Sequence, residues 1–353
     1  MDYLAERQGF EPWVGLHPQR FSRPPRSTTP APLRGAGGIM CRAAQRKGQN
    51  ALTKNCVGFA AKIVFVDAET VHDLKGSAMF RRLILSLVAA LGFTGGGGLA
   101  QTSDADALFE LVGLPQIVAV MRDEGLDYGE TIARDMFPAG MTPRWAAQLD
   151  RIYDTDTMVA QMRAAFVAAL DGQDLTQALD FYGSDLGRRI VTLEIAARAS
   201  MLDPTMDAAS KEFAAEQAQA NTPRFRLISD FITANDLIEA NVVGGLNSNF
   251  AFIDALVSGG ATLPGVSADS LLADVWAQED AIRASTTEWI TAFLLLAYAP
   301  LEDAEIAELT AFSQTPEGRI MTQALFGAFD EIFVRMSRDL GSAASGFIIS
   351  QDL

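Results

Sequence analysis

From position 101 onward, apolar residues recur at spacings of three and four, the period of a helix with one buried face. Met158, Met162, Phe166 and Leu170 follow one another at every fourth position behind Asp156. Leu114-Pro115 predicts another helix start, because a proline in the first turn lacks only an N–H that would have no intrahelical partner there. No stretch sustains the strict apolar/polar alternation, rich in β-branched residues, that a half-buried strand requires. The pattern therefore predicts an all-α protein, an array or bundle of helical hairpins with no β-sheet. Interruptions by Gly, Pro or Asn place breaks at Phe137 to Pro143, Ala220 to Pro223 and Ser258 to Pro264. The most apolar segment, WITAFLLLAYAP, runs eleven residues from Trp289 to Ala299 before Pro300. A membrane span needs about 20 residues, so this is expected to be a core helix.

A second apolar run has a different character. Arg81 and Arg82 precede an apolar core from Leu83 to Phe93, and Gly98-Leu99-Ala100 places small residues three and one before Gln101. This is the layout of a secretory signal peptide over residues 79–100, cleaved between Ala100 and Gln101, and it predicts a periplasmic protein. Residues 1–78 belong to another compositional regime, with 11 Lys+Arg against 6 Asp+Glu and six of the fourteen prolines. Within them, RQGFEPWVGLHPQRF resembles the translated T-arm of a transfer-RNA gene. The segment is expected to be either upstream DNA read as protein or a Pro/Arg-rich disordered leader.

Residues 101–353 carry 15 Lys+Arg and 38 Asp+Glu, a net charge of −23. Such a surface repels nucleic-acid phosphates and anionic lipid head groups, so neither is an expected partner. Both cysteines, Cys41 and Cys56, and both histidines, His17 and His72, lie before residue 79. Disulfides, Cys or Ser-His-Asp catalysis, His/Cys zinc sites and haem ligation by His are thereby excluded from the remainder. No cofactor or metal is expected, and chemistry would have to rest on carboxylates, hydroxyls, Arg or the single lysine, Lys211. The SGGATLPG stretch from Ser258 marks an expected joint between two helical halves, 101–258 and 265–353.

Two segments match at a constant offset of 131 residues: LTQALDFYGSDLGRRI from Leu175 and IAELTAFSQTPEGRIM from Ile306. Phe181 pairs with Phe312, Gly187 with Gly318 and Arg188 with Arg319. Ser184 and Thr315 are placed to cap helices, and Pro316 falls in the first turn of the second copy. A glycine at that position costs stability in a helix, so it predicts close approach beneath the preceding Phe and a tight αα-hairpin. These residues resemble the Phe-(Tyr)-x-Ser-Pro-x-Gly junction of secreted, mostly proteobacterial helical proteins known as domain of unknown function family 2059. The second copy departs from it with Thr315 for Ser and Ser313 for Tyr, the first with Asp185 for Pro. LFELVGLPQIVAVMRDEGLDYG, from Leu108 to Gly129, also resembles the leading helix of that family. The resemblance implies a helical envelope protein and brings no catalytic residue with it.

Among residues that could carry function, Arg188 and Arg319 either bind an anion at a helix start or pair with acidic neighbours such as Asp185 and Glu317. Asn241, Asn247 and Asn249, clustered around Gly244-Gly245, make either a polar groove or else a helix break or a buried hydrogen-bond network. Acidic runs at Asp123, Glu124, Asp127 and Glu130, and at Glu302, Asp303, Glu305 and Glu308, are read as solvated helix faces. The first functional expectation is a non-enzymatic module that binds an envelope protein or cell-wall component through a groove between its halves. The alternatives are a carboxylate-based hydrolase of envelope glycans and a structural or stress-related envelope protein without a discrete ligand. Oligomeric state is not legible in the sequence.

Overall fold

The computed structural model describes residues 103–261 and 273–349. The 1–78 leader, the 79–100 signal, the Ala100–Gln101 cleavage position and residues 262–264 of the joint lie outside the described residues. Twelve α-helices follow in order: α1 (Asp104–Leu111), α2 (Leu114–Met136), α3 (Pro143–Ile152), α4 (Thr155–Ala169), α5 (Thr176–Gly183) and α6 (Asp185–Ser200), then α7 (Pro204–Gln219), α8 (Pro223–Ala234), α9 (Leu237–Ser258), α10 (Glu279–Ala297), α11 (Asp303–Ser313) and α12 (Pro316–Ile349). The described residues contain no strand. The fold is all-α.

Local chemistry starts these helices. Ser103, Thr142, Asp154, Ser184, Asp203 and Thr222 each accept a backbone N–H of the first turn, satisfying a donor that the helix leaves unpaired. Prolines stand in the first turn of α2, α3, α7 and α8. Glu302 and Glu305 close a reciprocal capping box on α11. The helix of Met158, Met162 and Phe166 is capped by Asp154, two residues before Asp156, and these three side chains are fully buried. The Leu108–Gly129 stretch is two helices rather than one. Gly113 takes a left-handed conformation (φ 67°) between them, and Ile195 of α6 packs where its Cβ would be.

The helices enclose two apolar cores, each drawing residues from both before 258 and after 265. The first gathers Phe109, Trp145, Met162 and Phe166 with Leu256, Met336 and Ala344. The second gathers Ile190, Ile228 and Phe231 with Ile290, Leu295, Tyr298 and Ile306. Ile238 of α9 packs against both. The Trp289–Ala299 stretch forms the end of α10 and the two residues after it and supplies the second core, and no helix among the described residues is long and apolar enough to cross a membrane.

The longest shared seam is between α9 and α12. Small residues let the two backbones meet there: a Cβ on Gly341 would fall 2.2 Å from the Phe252 carbonyl oxygen. Because α12 also packs on α3 and α4, it joins the C-terminal residues to the N-terminal helices. That placement creates the groove described next.

Candidate functional site

Helices α3 and α12 border a cavity of about 460 Å3, open to solvent. Arg144, Gln148 and Arg151 project into it from α3, and Asp339, Ser342 and Phe347 from α12. Positions 144, 148 and 151 lie on one stripe of a helix, four and three residues apart. Their placement follows from burial of the neighbouring stripe, about 100° round the helix, where Trp145, Leu149 and Ile152 enter the core and Ile152 also meets the edge of the groove. The floor is a packed aromatic cluster. Phe347 stacks on Phe137 at 5.3 Å and meets Trp145 edge-on at 5.1 Å, while the Trp145 indole N–H donates to the Gly129 carbonyl at 2.9 Å.

Two features give this groove chemistry. Arg144 lies over the Phe347 ring, 4.9 Å from its centroid, an arrangement that orients the planar guanidinium while leaving its N–H edges free. Among the described residues neither Arg144 nor Arg151 makes an ion pair, whereas ten other Lys or Arg side chains do. Asp339 pairs with Arg335 at 3.5 Å. Partial burial raises its carboxyl above the usual range, against the pull of Arg335 and Arg338. The groove thus offers two uncommitted cations, one carboxyl, and the polar groups of Gln148 and Ser342.

The two hairpin junctions share one geometry. The Ser184 hydroxyl donates to the Phe181 carbonyl at 2.6 Å and accepts from the Gly187 N–H at 3.0 Å. The Thr315 hydroxyl donates to the Phe312 carbonyl at 2.7 Å and accepts from the Gly318 N–H at 3.0 Å. A Cβ on either Gly187 or Gly318 would stand 2.1 Å from the preceding Phe carbonyl oxygen. The junctions also touch: Phe181 and Phe312 stack with centroids 4.0 Å apart and planes 2° from parallel, and Tyr182 packs edge-on against both. Pro316 begins α12. Arg188 pairs with Asp185 at 2.6 Å and also donates to the Gly183 carbonyl, so this arginine is spent on its own hairpin. Arg319 is exposed.

Beside this contact, Tyr298, which caps the C-terminus of α10, donates to the partly buried Glu194 of α6. Desolvation holds the Glu194 carboxyl up to about 7, with the Tyr298 hydrogen bond working in the opposite direction.

Residues 156–216 match the family described as "Uncharacterized protein conserved in bacteria (DUF2059)". The match runs from the first turn of α4 into α7 and so contains the Phe181–Gly187 junction, while Phe312–Gly318 lies outside it. No curated protein and no solved structure matches the chain. The resemblance to the DUF2059 family therefore rests on four central helices, and the likeness of the second junction rests on its geometry.

The three asparagines do not converge. α9 runs unbroken through Gly244-Gly245. Asn241 donates back to the Leu237 carbonyl at 2.7 Å, Asn247 reaches Asp330 at 3.1 Å, and the fully buried Asn249 donates to Gln278 at 2.5 Å. Two are therefore cross-links between segments, and one is local. The acidic runs are likewise engaged: Glu124 forms a two-pronged pair with Arg198 at 2.8 and 2.9 Å, Glu305 pairs with Arg189, and Asp303 with Arg224 at 3.2 Å. Sequence reasoning missed the α3–α12 groove. The Arg144–Gln148–Arg151 stripe was visible, but nothing linked it to Ser342 and Phe347, almost two hundred residues away.

Proposed function

We propose that the protein is a non-enzymatic binding module of the bacterial envelope, exported through a signal at 79–100 and working in the periplasm. Its two hairpins, around Phe181–Gly187 and Phe312–Gly318, are copies of one structural unit, and its ligand seat is the α3–α12 groove between the segments 101–258 and 265–353. The observation that carries this reading is the pair of arginines without an ion pair, Arg144 and Arg151, lining one groove, with Arg144 seated over the Phe347 ring, in a chain whose charges are mostly acidic. Among the described residues ten of the fifteen cations are spent on ion pairs and five are not, and two of those five, Arg144 and Arg151, share one concavity, which points outward, to a ligand. The family resemblance supports an uncharacterised bacterial role and adds no catalytic group.

The test places a photo-crosslinking side chain at Gln148 in native cells and compares it with the same protein carrying Gly346→Trp. Gly346 is exposed and borders the groove, and a Cβ there meets no atom within 4 Å, so an indole at this position leaves from the groove wall rather than from the core. A discrete cross-linked envelope species that disappears in the Gly346→Trp protein is expected. Cross-linking that is absent, or indifferent to that substitution, overturns the reading. An intact mass beginning at Gln101 in the periplasmic fraction is the matching expectation for export, and a mass retaining residues 1–100 in the cytosol overturns it.

A further inference from the structure

We infer that the α3–α12 groove takes an acidic peptide in extended, polyproline-like conformation, Arg144 and Arg151 each gripping a carboxylate three residues apart while Asp339 accepts a peptide N–H or ammonium. The inference rests on the reading of that groove as a ligand seat and assigns the ligand's chemistry.

Spacing selects the ligand first. Seven residues of α3 separate Arg144 from Arg151, which sets their Cα atoms about 10 Å apart along the helix axis. A polyproline II strand repeats every three residues with a rise of about 9 Å, so side chains at i and i+3 leave the same side of the peptide at nearly that interval. A β-strand points residues i and i+3 to opposite faces, and its same-face residues recur at about 7 or 13 Å, a poorer match to the spacing of the two arginines. The cavity, about 460 Å3, accommodates a segment of a few residues rather than a domain.

Charge selects next. A guanidinium offers a flat fork of N–H donors that fits a carboxylate or a phosphate in bidentate fashion. Asp339 separates these two, because its carboxyl faces the same space and repels a dianionic phosphate more than single carboxylates carried on a chain with N–H donors of its own. Gln148 and Ser342 supply the donors and acceptors that a solvated polyproline-like backbone needs. The aromatic floor fixes the position of Arg144 before the ligand arrives, which reduces the ordering that binding would otherwise require.

The experiment uses a fluorescently labelled Pro-Glu-Pro-Pro-Glu-Pro peptide, followed by anisotropy with the purified protein. Expected are saturable binding, about tenfold weakening for each of Arg144→Gln and Arg151→Gln, and a similar loss when either Glu of the peptide becomes Gln. Arg151→Lys, which keeps the charge and loses the fork, should fall between. Moving the two Glu side by side, at constant charge, should weaken binding if the spacing argument holds. Both arginines are exposed, and far-UV dichroism with a thermal melt confirms that each variant is folded. The inference is overturned if the Gln-for-Glu peptide binds equally well, if the arginine variants bind like the parent protein, or if inorganic phosphate displaces the peptide more strongly than acetate at equal ionic strength. Should the acidic peptide fail while the Gln148 cross-link remains sensitive to Gly346→Trp, the ligand class is wrong and the groove reading survives. If both fail, both are wrong.

Discussion

At Gly187 and Gly318 the absence of a single carbon sets the geometry of a junction. A Cβ at either position would enter the Phe181 or Phe312 carbonyl, at 2.1 Å, and the obstacle is backbone that cannot rotate away. Gly187→Ala and Gly318→Ala should each destabilise the protein by about 2–4 kcal/mol in urea unfolding, because helix propensity returns at most about 1 kcal/mol. Gly346→Ala is the control: it adds a methyl to open space on α12 and should be neutral or stabilising by up to about 1 kcal/mol. Glu194 makes a different prediction. Its folded value near 7 lies above its ordinary 4.5, so between those pH values the folded chain holds more protons than the unfolded one. Stability from this group is therefore greatest below pH 4.5 and declines as pH rises toward 7. Glu194→Gln, which retains an acceptor for Tyr298, should match the parent at pH 4.5 and exceed it at pH 8 by on the order of 1–3 kcal/mol, allowing for the carboxyl's partial exposure. A difference that does not change with pH would show that the carboxyl is not held protonated. The caps and the close-approach glycines were legible because each depends on residues within a few positions. Glu194 was not, because burial of a lone Glu in a helix leaves no mark on the sequence around it.

Elements expose where local reading stops. Breaks at 137–143 and 220–223 were legible because proline and a capping hydroxyl act through the backbone of their own segment. For the Asn/Gly cluster of α9 the sequence left open a groove, a helix break or a buried hydrogen-bond network; the helix continues, and Asn249 is buried against Gln278. Poor helix formers cost about 0.5–1 kcal/mol each, and burial of Val242, Leu246, Phe252 and Leu256 along α9 outweighs that sum. The close seam with α12 is made instead from the other side, where Gly341 of α12 lacks the Cβ that would enter the Phe252 carbonyl. Pairing of the two junctions is the other element-scale feature that spacing alone did not reveal. An offset of 131 residues says the segments are alike, not that their Phe rings stack. A double-mutant cycle on Phe181→Leu and Phe312→Leu should give a coupling of about 0.5–1.5 kcal/mol, as expected for aromatic pairs in contact. Additive losses would mean that each ring is held by its own hairpin and the stack contributes nothing.

Across the whole molecule, charge rather than packing offers the sharpest test. Residues 101–353 carry 23 more acids than bases, and many of the ion pairs that exist are exposed at one or both partners. Exposed pairs contribute roughly 0–1 kcal/mol each, and salt weakens them. Salt also weakens the repulsion among the excess carboxylates, which is summed over the entire surface and opposes the compact state. The second effect involves more charges, so it should win: raising NaCl from 0.01 to 0.3 M should increase the midpoint of thermal unfolding by about 2–5 °C. The groove should respond with the opposite sign. Its attraction for carboxylates depends on two arginines at an open surface, and screening that steadies the fold should loosen the peptide. Measuring both in one salt series separates them, because a general gain in folding with salt would carry binding upward too, whereas a charge-selective seat at Arg144 and Arg151 requires the two curves to diverge. A midpoint that falls with salt would show instead that the ion-pair network, with the Lys211–Asp207 pair and the two-pronged Arg198–Glu124 link as its most buried members, outweighs the acidic surface.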